Sequence, residues 1–224
     1  MFRPVCIFFL WLFLFQSGPV LAGDQLSEIL NGIRERYGNL PGLTVTYDRE
    51  IITRSMALLG DQMKTDLATG RINFKPPYYL MIQQETPKPE TVTTDGDTLW
   101  WYIPQKGLVY RYPSNRLGKE LRLLSDIFRG LSEVGDSFDV MQSTLDVKQG
   151  YRLKLIPNPP WQEIDHINLS VARDNFSIRV VEIHNYLGGI TRFTFGDFSM
   201  KDGFTDRFFR FVVPDGVRVI EENG

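Results

Sequence analysis

One cysteine and two histidines in 224 residues leave almost nothing for a disulfide framework, a thiolate zinc site or a Cys/His catalytic pair. His166 and His184 fall on separate expected strands, with no HExxH or His/Asp ligand spacing, and read as strand residues that are exposed or hydrogen-bonded. There is no G-x-S-x-G elbow, no P-loop and no G-x-G-x-x-G, so neither a metal, a cofactor nor an enzymatic activity is expected. Acids outnumber bases 27 to 25 and the bases are scattered, which gives no nucleic-acid footprint. The chain also lacks repeats, low-complexity tracts and any linker long enough to divide it. A single domain follows.

Val5 to Phe15 is an unbroken, charge-free run of 11 residues behind Arg3. A bilayer span needs roughly 20 apolar residues, so this run is too short to cross one. Gln16, Ser17, Gly18 and Pro19 break it, and Val20-Leu21-Ala22 supplies small or modest residues before Gly23. Residues 1–22 therefore read as a secretory signal peptide and 23–224 as the mature domain. Cys6 leaves with the signal and lies too early to be an acylated first residue, so the mature chain is expected to be exported, soluble and unanchored. Five of the 16 phenylalanines and one of the four tryptophans leave too, yet the remainder is still rich in aromatics.

What is present is mostly β pattern. Leu26, Ile29, Leu30, Ile33 and Tyr37 make one helical stripe, with Asp24 placed to cap or favour its N-terminus. After Gly38 to Gly42 the period becomes two, with turn signals about every ten residues, the pattern of an antiparallel all-β domain. Strands are expected at 44–56, 64–74, 78–84, 91–94, 98–103, 108–112, 138–147, 151–156, 166–171, 177–186, 190–200 and 207–213. These eleven or twelve strands form a large, curved sheet. One amphipathic helix interrupts them between Gly118 and Gly130, with Leu121, Leu124, Ile127 and Phe128 on one face. It can serve as a core plug, or as a unit moving on Gly118, Gly130 and Gly135.

Several strands are apolar on both faces. A two-residue Asp95-Gly96 turn places Val92 opposite Leu99 and Glu90 opposite Trp101. Val92, Leu99, Trp101 and Ile103 then share one face, with Trp100 and Tyr102 on the other. Tyr78 to Ile82, Arg192 to Phe195 and Phe208 to Phe211 repeat the two-sided pattern. A sheet with one solvated face needs only one apolar side. The surplus implies a second covering layer or an apolar cavity.

Thr94-Asp95-Gly96-Asp97-Thr98-Leu99-Trp100-Trp101-Tyr102-Ile103-Pro104 closely resembles the SDGxTLWxYxP hairpin of the periplasmic outer-membrane lipoprotein carriers, the LolA family. Gly70 to Pro77 is similar to that family's G-x-L-x-hydrophobic-K-R-P strand, and Phe209 to Val219 to its C-terminal F-x-F-x-x-P-x-G-V-x-V. The three motifs occur in family order. The resemblance implies an unclosed, half antiparallel β-barrel of about eleven strands, its apolar concave face covered by helices acting as a lid. It implies a monomeric periplasmic carrier that takes triacylated lipoproteins from an inner-membrane ABC-type exporter and passes them to an outer-membrane receptor. Acyl chains would then be held by Leu80, Ile82, Val92, Leu99 and Trp101 on the sheet and by Leu124, Ile127 and Phe128 on the lid. The family commonly has an arginine before the strand-ending proline, associated with a polar latch to the lid; here Pro76 stands there, with Lys75 and Arg71 as the nearest substitutes. The other reading is a same-fold module with another lipid or a sensory role. Sensors of this type generally carry an additional domain, and five residues follow Val219 in this sequence.

Overall fold

The computed structural model describes residues 22–54, 66–113, 118–143 and 150–221. The expected signal peptide lies outside them except for Ala22. Twelve strands form one sheet among these residues: β1 (Leu43–Ile52), β2 (Asp66–Lys75), β3 (Tyr79–Thr86), β4 (Glu90–Thr94), β5 (Thr98–Ile103), β6 (Leu108–Pro113), β7 (Phe138–Ser143), β8 (Tyr151–Pro157), β9 (Ile164–Val171), β10 (Ile178–Asn185), β11 (Ile190–Met200) and β12 (Arg218–Glu221). The helices are α1 (Ala22–Tyr37), α2 (Gly118–Phe128) and the single turn α3 (Val134–Ser137). The sheet runs β12-β6-β5-β4-β3-β2-β1-β11-β10-β9-β8-β7. Its end strands β12 and β7 do not pair with each other, so the barrel stays open.

That order explains the position of α2. β6 lies beside one edge of the sheet and β7 is the other edge, so the chain between them must cross the open side. α2 makes that crossing. Its Leu123, Leu124, Ile127 and Phe128 are 0–2% exposed, in one core with Ile29 and Ile33 of α1 and the inward residues of β1–β3 and β7–β11. The Phe128 ring meets Phe74 and Phe195 at 5.8 and 5.7 Å. α1 packs against the β7–β11 half. Its Tyr37 hydroxyl accepts from the Ile178 amide at 3.0 Å, and its Gln25 accepts from Gln142 of β7 at 3.1 Å. α1 begins by Ala22, which puts Asp24 inside the helix rather than at its cap.

Gly130 is not a free hinge. It sits at φ +77°, and a Cβ there would come within 3.0 Å of the Arg34 backbone, so the glycine lets the end of α2 press onto the end of α1. Gly135 has open space around it.

Two expectations are corrected. The stretch at 207–213 is not a strand: Asp206–Phe209 forms a 3-10 turn, and the last strand is β12, paired parallel to β6. This C-terminal segment covers the face of the sheet away from the helices. Phe209 is buried against Tyr79, and Phe211 packs on Trp100 and Tyr102 at 5.5 and 5.8 Å. The β4–β5 register also moves by two, pairing Val92 with Trp101 and Thr94 with Leu99. The cause is a longer turn: Asp95 Oδ1 accepts from the amides of Asp97 and Thr98 at 3.1 and 2.9 Å, with Gly96 at φ +102°. A two-residue shift preserves the faces, so Val92, Leu99 and Trp101 remain together.

Candidate functional site

On the helix-bearing face, paired strands stack their residues in rows. Leu43, Phe74, Leu80, Thr94 and Leu99 form one row, and Val45, Ile72, Ile82, Val92 and Trp101 form the next. Tyr47, Gly70, Gln84 and Glu90 form a third. The first row is closed off by α2: Leu80 and Leu99 are fully buried, as are Leu124, Ile127 and Phe128 from the helix. The second and third rows are not filled on the β3–β5 side. A cavity of about 330 Å³ lies there, lined by Tyr47, Arg49, Ile82, Gln84, Glu90, Val92, Leu99, Trp101 and Leu121.

Four of the sequence-predicted residues, Ile82, Val92, Leu99 and Trp101, thus meet around one space. Leu80, Leu124, Ile127 and Phe128 are packed in the adjoining core instead of lining it. The Trp101 indole donates to Glu90 at 3.0 Å and stacks on Tyr110 at 5.3 Å, which fixes its ring as a wall of the cavity. Burial pushes the Tyr47 phenol above its ordinary pKa, an effect that nearby Arg49 opposes. Arg49, Gln84 and Glu90 are absent from the sequence-derived set. The available signal was alternation: Leu43, Val45, Tyr47 and Arg49 share one face of β1, so an arginine continues an apolar stripe.

A second cavity of about 310 Å³ shares Leu99 and Leu121 with the first and is otherwise polar, bounded by Tyr78, Thr94, Ser125, Asp126, Arg129 and Glu133 among others. Burial raises the Asp126 carboxyl above its usual range, against the pull of Arg129. Arg129, just beyond α2, lies over the Tyr78 ring at 5.3 Å and bonds Glu133 at 3.1 Å. The contact with Tyr78 ties the end of α2 to the turn between β2 and β3. Neither substitute for the family arginine reaches α2: Arg71 pairs with Glu85 at 2.9 Å, and Lys75 pairs with Asp206 of the C-terminal segment.

His166 and His184 are direct cross-strand partners, stacked at 4.2 Å, with His166 Nδ1 2.7 Å from Asp165 and His184 Nε2 3.1 Å from Asn168. Among the described residues no group of three His, Cys, Asp or Glu is arranged to hold a metal, and no helix is long and apolar enough to cross a membrane.

The sequence profile of the family described as "Outer membrane lipoprotein carrier protein LolA" matches residues 57–212. An outer-membrane lipoprotein carrier protein of Hahella chejuensis is 24% identical over 92% of this chain and 93% of its own length. In fold, the chain resembles an uncharacterized conserved protein of Thermus thermophilus, with a TM-score of 0.54 at 11% identity over 88% of this chain and 99% of that one. A LolA superfamily protein of Nitrosomonas europaea matches at a TM-score of 0.48 and 14% identity, over 83% and 97% of the two chains.

Proposed function

Because this chain belongs to the outer membrane lipoprotein carrier protein LolA family, we propose that it is a monomeric periplasmic carrier, exported by a signal peptide cleaved after Ala22. It takes triacylated lipoproteins from an inner-membrane ABC-type exporter, shields their acyl chains and delivers them to an outer-membrane receptor. It binds and releases, and performs no bond chemistry. One juxtaposition carries the reading: a helix that crosses the open side of the sheet buries its apolar face beside a cavity walled by Ile82, Val92, Leu99 and Trp101.

The energetics fit an exchange. Lifting four buried α2 side chains off the core costs about 6–12 kcal/mol at about 1.5–3 kcal/mol each. A buried methylene returns about 0.8 kcal/mol, so about 8–15 methylenes offset the opening. Several acyl chains supply more than that. A cavity of about 330 Å³ is at the lower end of small-molecule sites, about 300–1,000 Å³, so a multi-chain anchor enters only when α2 moves.

The test is release of newly made lipoprotein from spheroplast membranes by the purified mature protein, with Val92→Asp beside it. Val92 is half-buried on the cavity wall, whereas Leu99 is also core, so a charge at Val92 separates binding from folding. Release by the natural chain, and its loss in a folded Val92→Asp variant, is expected. A folded natural chain that releases nothing would overturn the proposal.

A further inference from the structure

Arg49 of β1 lines the cavity beside Ile82, Val92 and Trp101, on the stripe of Leu43, Val45 and Tyr47. Its Nη2 donates to the Gln84 amide oxygen at 3.1 Å, while its Nε is buried with no hydrogen-bond partner. Among the described residues no carboxylate oxygen lies within 4.0 Å of this guanidinium, in contrast to Arg71, Arg111, Arg129, Arg152 and Arg192. Glu90, the one acid in the cavity lining, is engaged by the Trp101 indole instead. A half-buried guanidinium with a buried, orphan N–H and no carboxylate in contact with it is costly unless something else supplies both.

The neighbouring wall is apolar. From Arg49 and Gln84 the lining runs through Ile82 and Val92 to Leu99 and Leu121, within a volume of about 330 Å³. A charged donor at one end of a small apolar space matches a molecule with one tail and one acidic head. We infer that, with α2 in place, the cavity takes a single-chain amphiphile with an anionic head, its tail on Ile82, Val92 and Leu99 and its head oxygens accepting from Arg49. The inference rests on the lipid-binding reading of this cavity and adds a ligand class to it. A fatty-acid carboxylate and a lysophospholipid phosphate share the required chemistry.

Calorimetric titration of the full mature chain with dodecanoate, 1-lauroyl lysophosphatidic acid and dodecanol, each below its aggregation threshold, tests it. At least one anion should bind about ten-fold or more tighter than dodecanol, because a hydrogen bond to a charged group outweighs one to a neutral group. Preference for the carboxylate alone or the phosphate alone identifies the source and supports the inference either way. Arg49→Met should bring the anion-to-alcohol ratio to within about three-fold, and Arg49→Lys should restore part of it. Equal binding of alcohol and both anions to the natural chain overturns the inference without requiring any variant, as does a ratio that survives Arg49→Met. Head preference without lipoprotein release would sink the carrier proposal and leave this one standing; release without head preference does the reverse.

Discussion

Replacing Leu124 by aspartate asks whether α2 is a detachable cover or an inseparable part of the core. Leu124 is 1% exposed, in the centre of the buried face of α2. The change forfeits the leucine's transfer energy and buries a carboxylate with no partner, together about 5 kcal/mol or more. Closing α2 gains about 6–12 kcal/mol from its four buried side chains, an upper figure because part of that surface is already covered in any realistic open state. The substitution therefore brings closure close to balance. α1 is also tied to the β7–β11 half through bonds that do not involve Leu124, Tyr37 to the Ile178 amide and Gln25 to Gln142, so α1 and the sheet should survive. Amide hydrogen exchange reads the difference: α2 amides of the variant should exchange with little protection while those of β1, β2 and β8–β10 stay slow, and a hydrophobic dye should bind the uncovered face. Loss of protection in α2 and the sheet together, in one transition, would show that α2 is ordinary core and would refute the exchange argument.

Glu182 offers a pH test on the outer face. Contact with His184 lowers its pKa most, burial opposes, and Arg192 and Arg152 lower it further, to about 2 from 4.5. At 3.7 Å the His184 contact is too long for a hydrogen bond, whereas Arg152 and Arg192 bond at 2.5 and 3.0 Å, so the guanidiniums are the firmer part of the effect. A depressed folded pKa gives stability that is present above pH 4.5 and lost as pH falls towards about 2. With the side chain only 11% exposed and its bonds to Arg152 and Arg192 weakened, Glu182→Gln should cost about 1–3 kcal/mol in urea unfolding at pH 7. The gap to the natural chain should close towards pH 2 to 3; a gap independent of pH would mean the ion pairs are not its source. Phe209→Ala removes a ring that is 1% exposed between Tyr79, Phe204 and Phe208, and should cost about 3–5 kcal/mol. A loss below about 1 kcal/mol in the same assay would show that the C-terminal segment lies outside the cooperative unit.

Much of the strand order could be read in advance because turn chemistry and alternation are local. Asp95-Gly96, Lys106-Gly107 and Gly188-Gly189 all mark real reversals between strands. What failed was non-local or depended on side-chain bonding. The Asp95 carboxylate lengthens its own turn by two residues, and no dipeptide rule contains that. The Phe208 to Phe211 run looks like a strand because aromatics favour strands, yet it is a strap whose partners, Tyr79, Trp100 and Tyr102, lie more than a hundred residues earlier. The stacking of His166 on His184 follows from the β9–β10 register, which spacing alone does not fix. Arg49 was legible in principle, as a charge on an apolar stripe, but only register shows that the stripe faces a cavity.

The surplus of aromatics therefore has two origins, one on each face of the sheet. Trp100 and Tyr102 are half-buried, and the protein's own C-terminal segment packs Phe211 on both rings. On the other face, the two halves of the sheet differ. Across β8–β10, Leu153, Leu155, Ile167, Leu169, Val181 and Ile183 are buried within the core that includes α1, which makes this half a scaffold. Across β3–β6, Ile82, Val92, Trp101, Tyr110 and Tyr112 stay only half-buried, although α2 already spans the opening. A chain selected for stability alone would fill that space with larger side chains, since an unfilled apolar wall forfeits contacts that native cores otherwise make. Keeping it open on the side that α2 covers, while closing the side that α1 covers, fits the carrier we propose, in which one half holds the fold together while the other exchanges its cover for cargo.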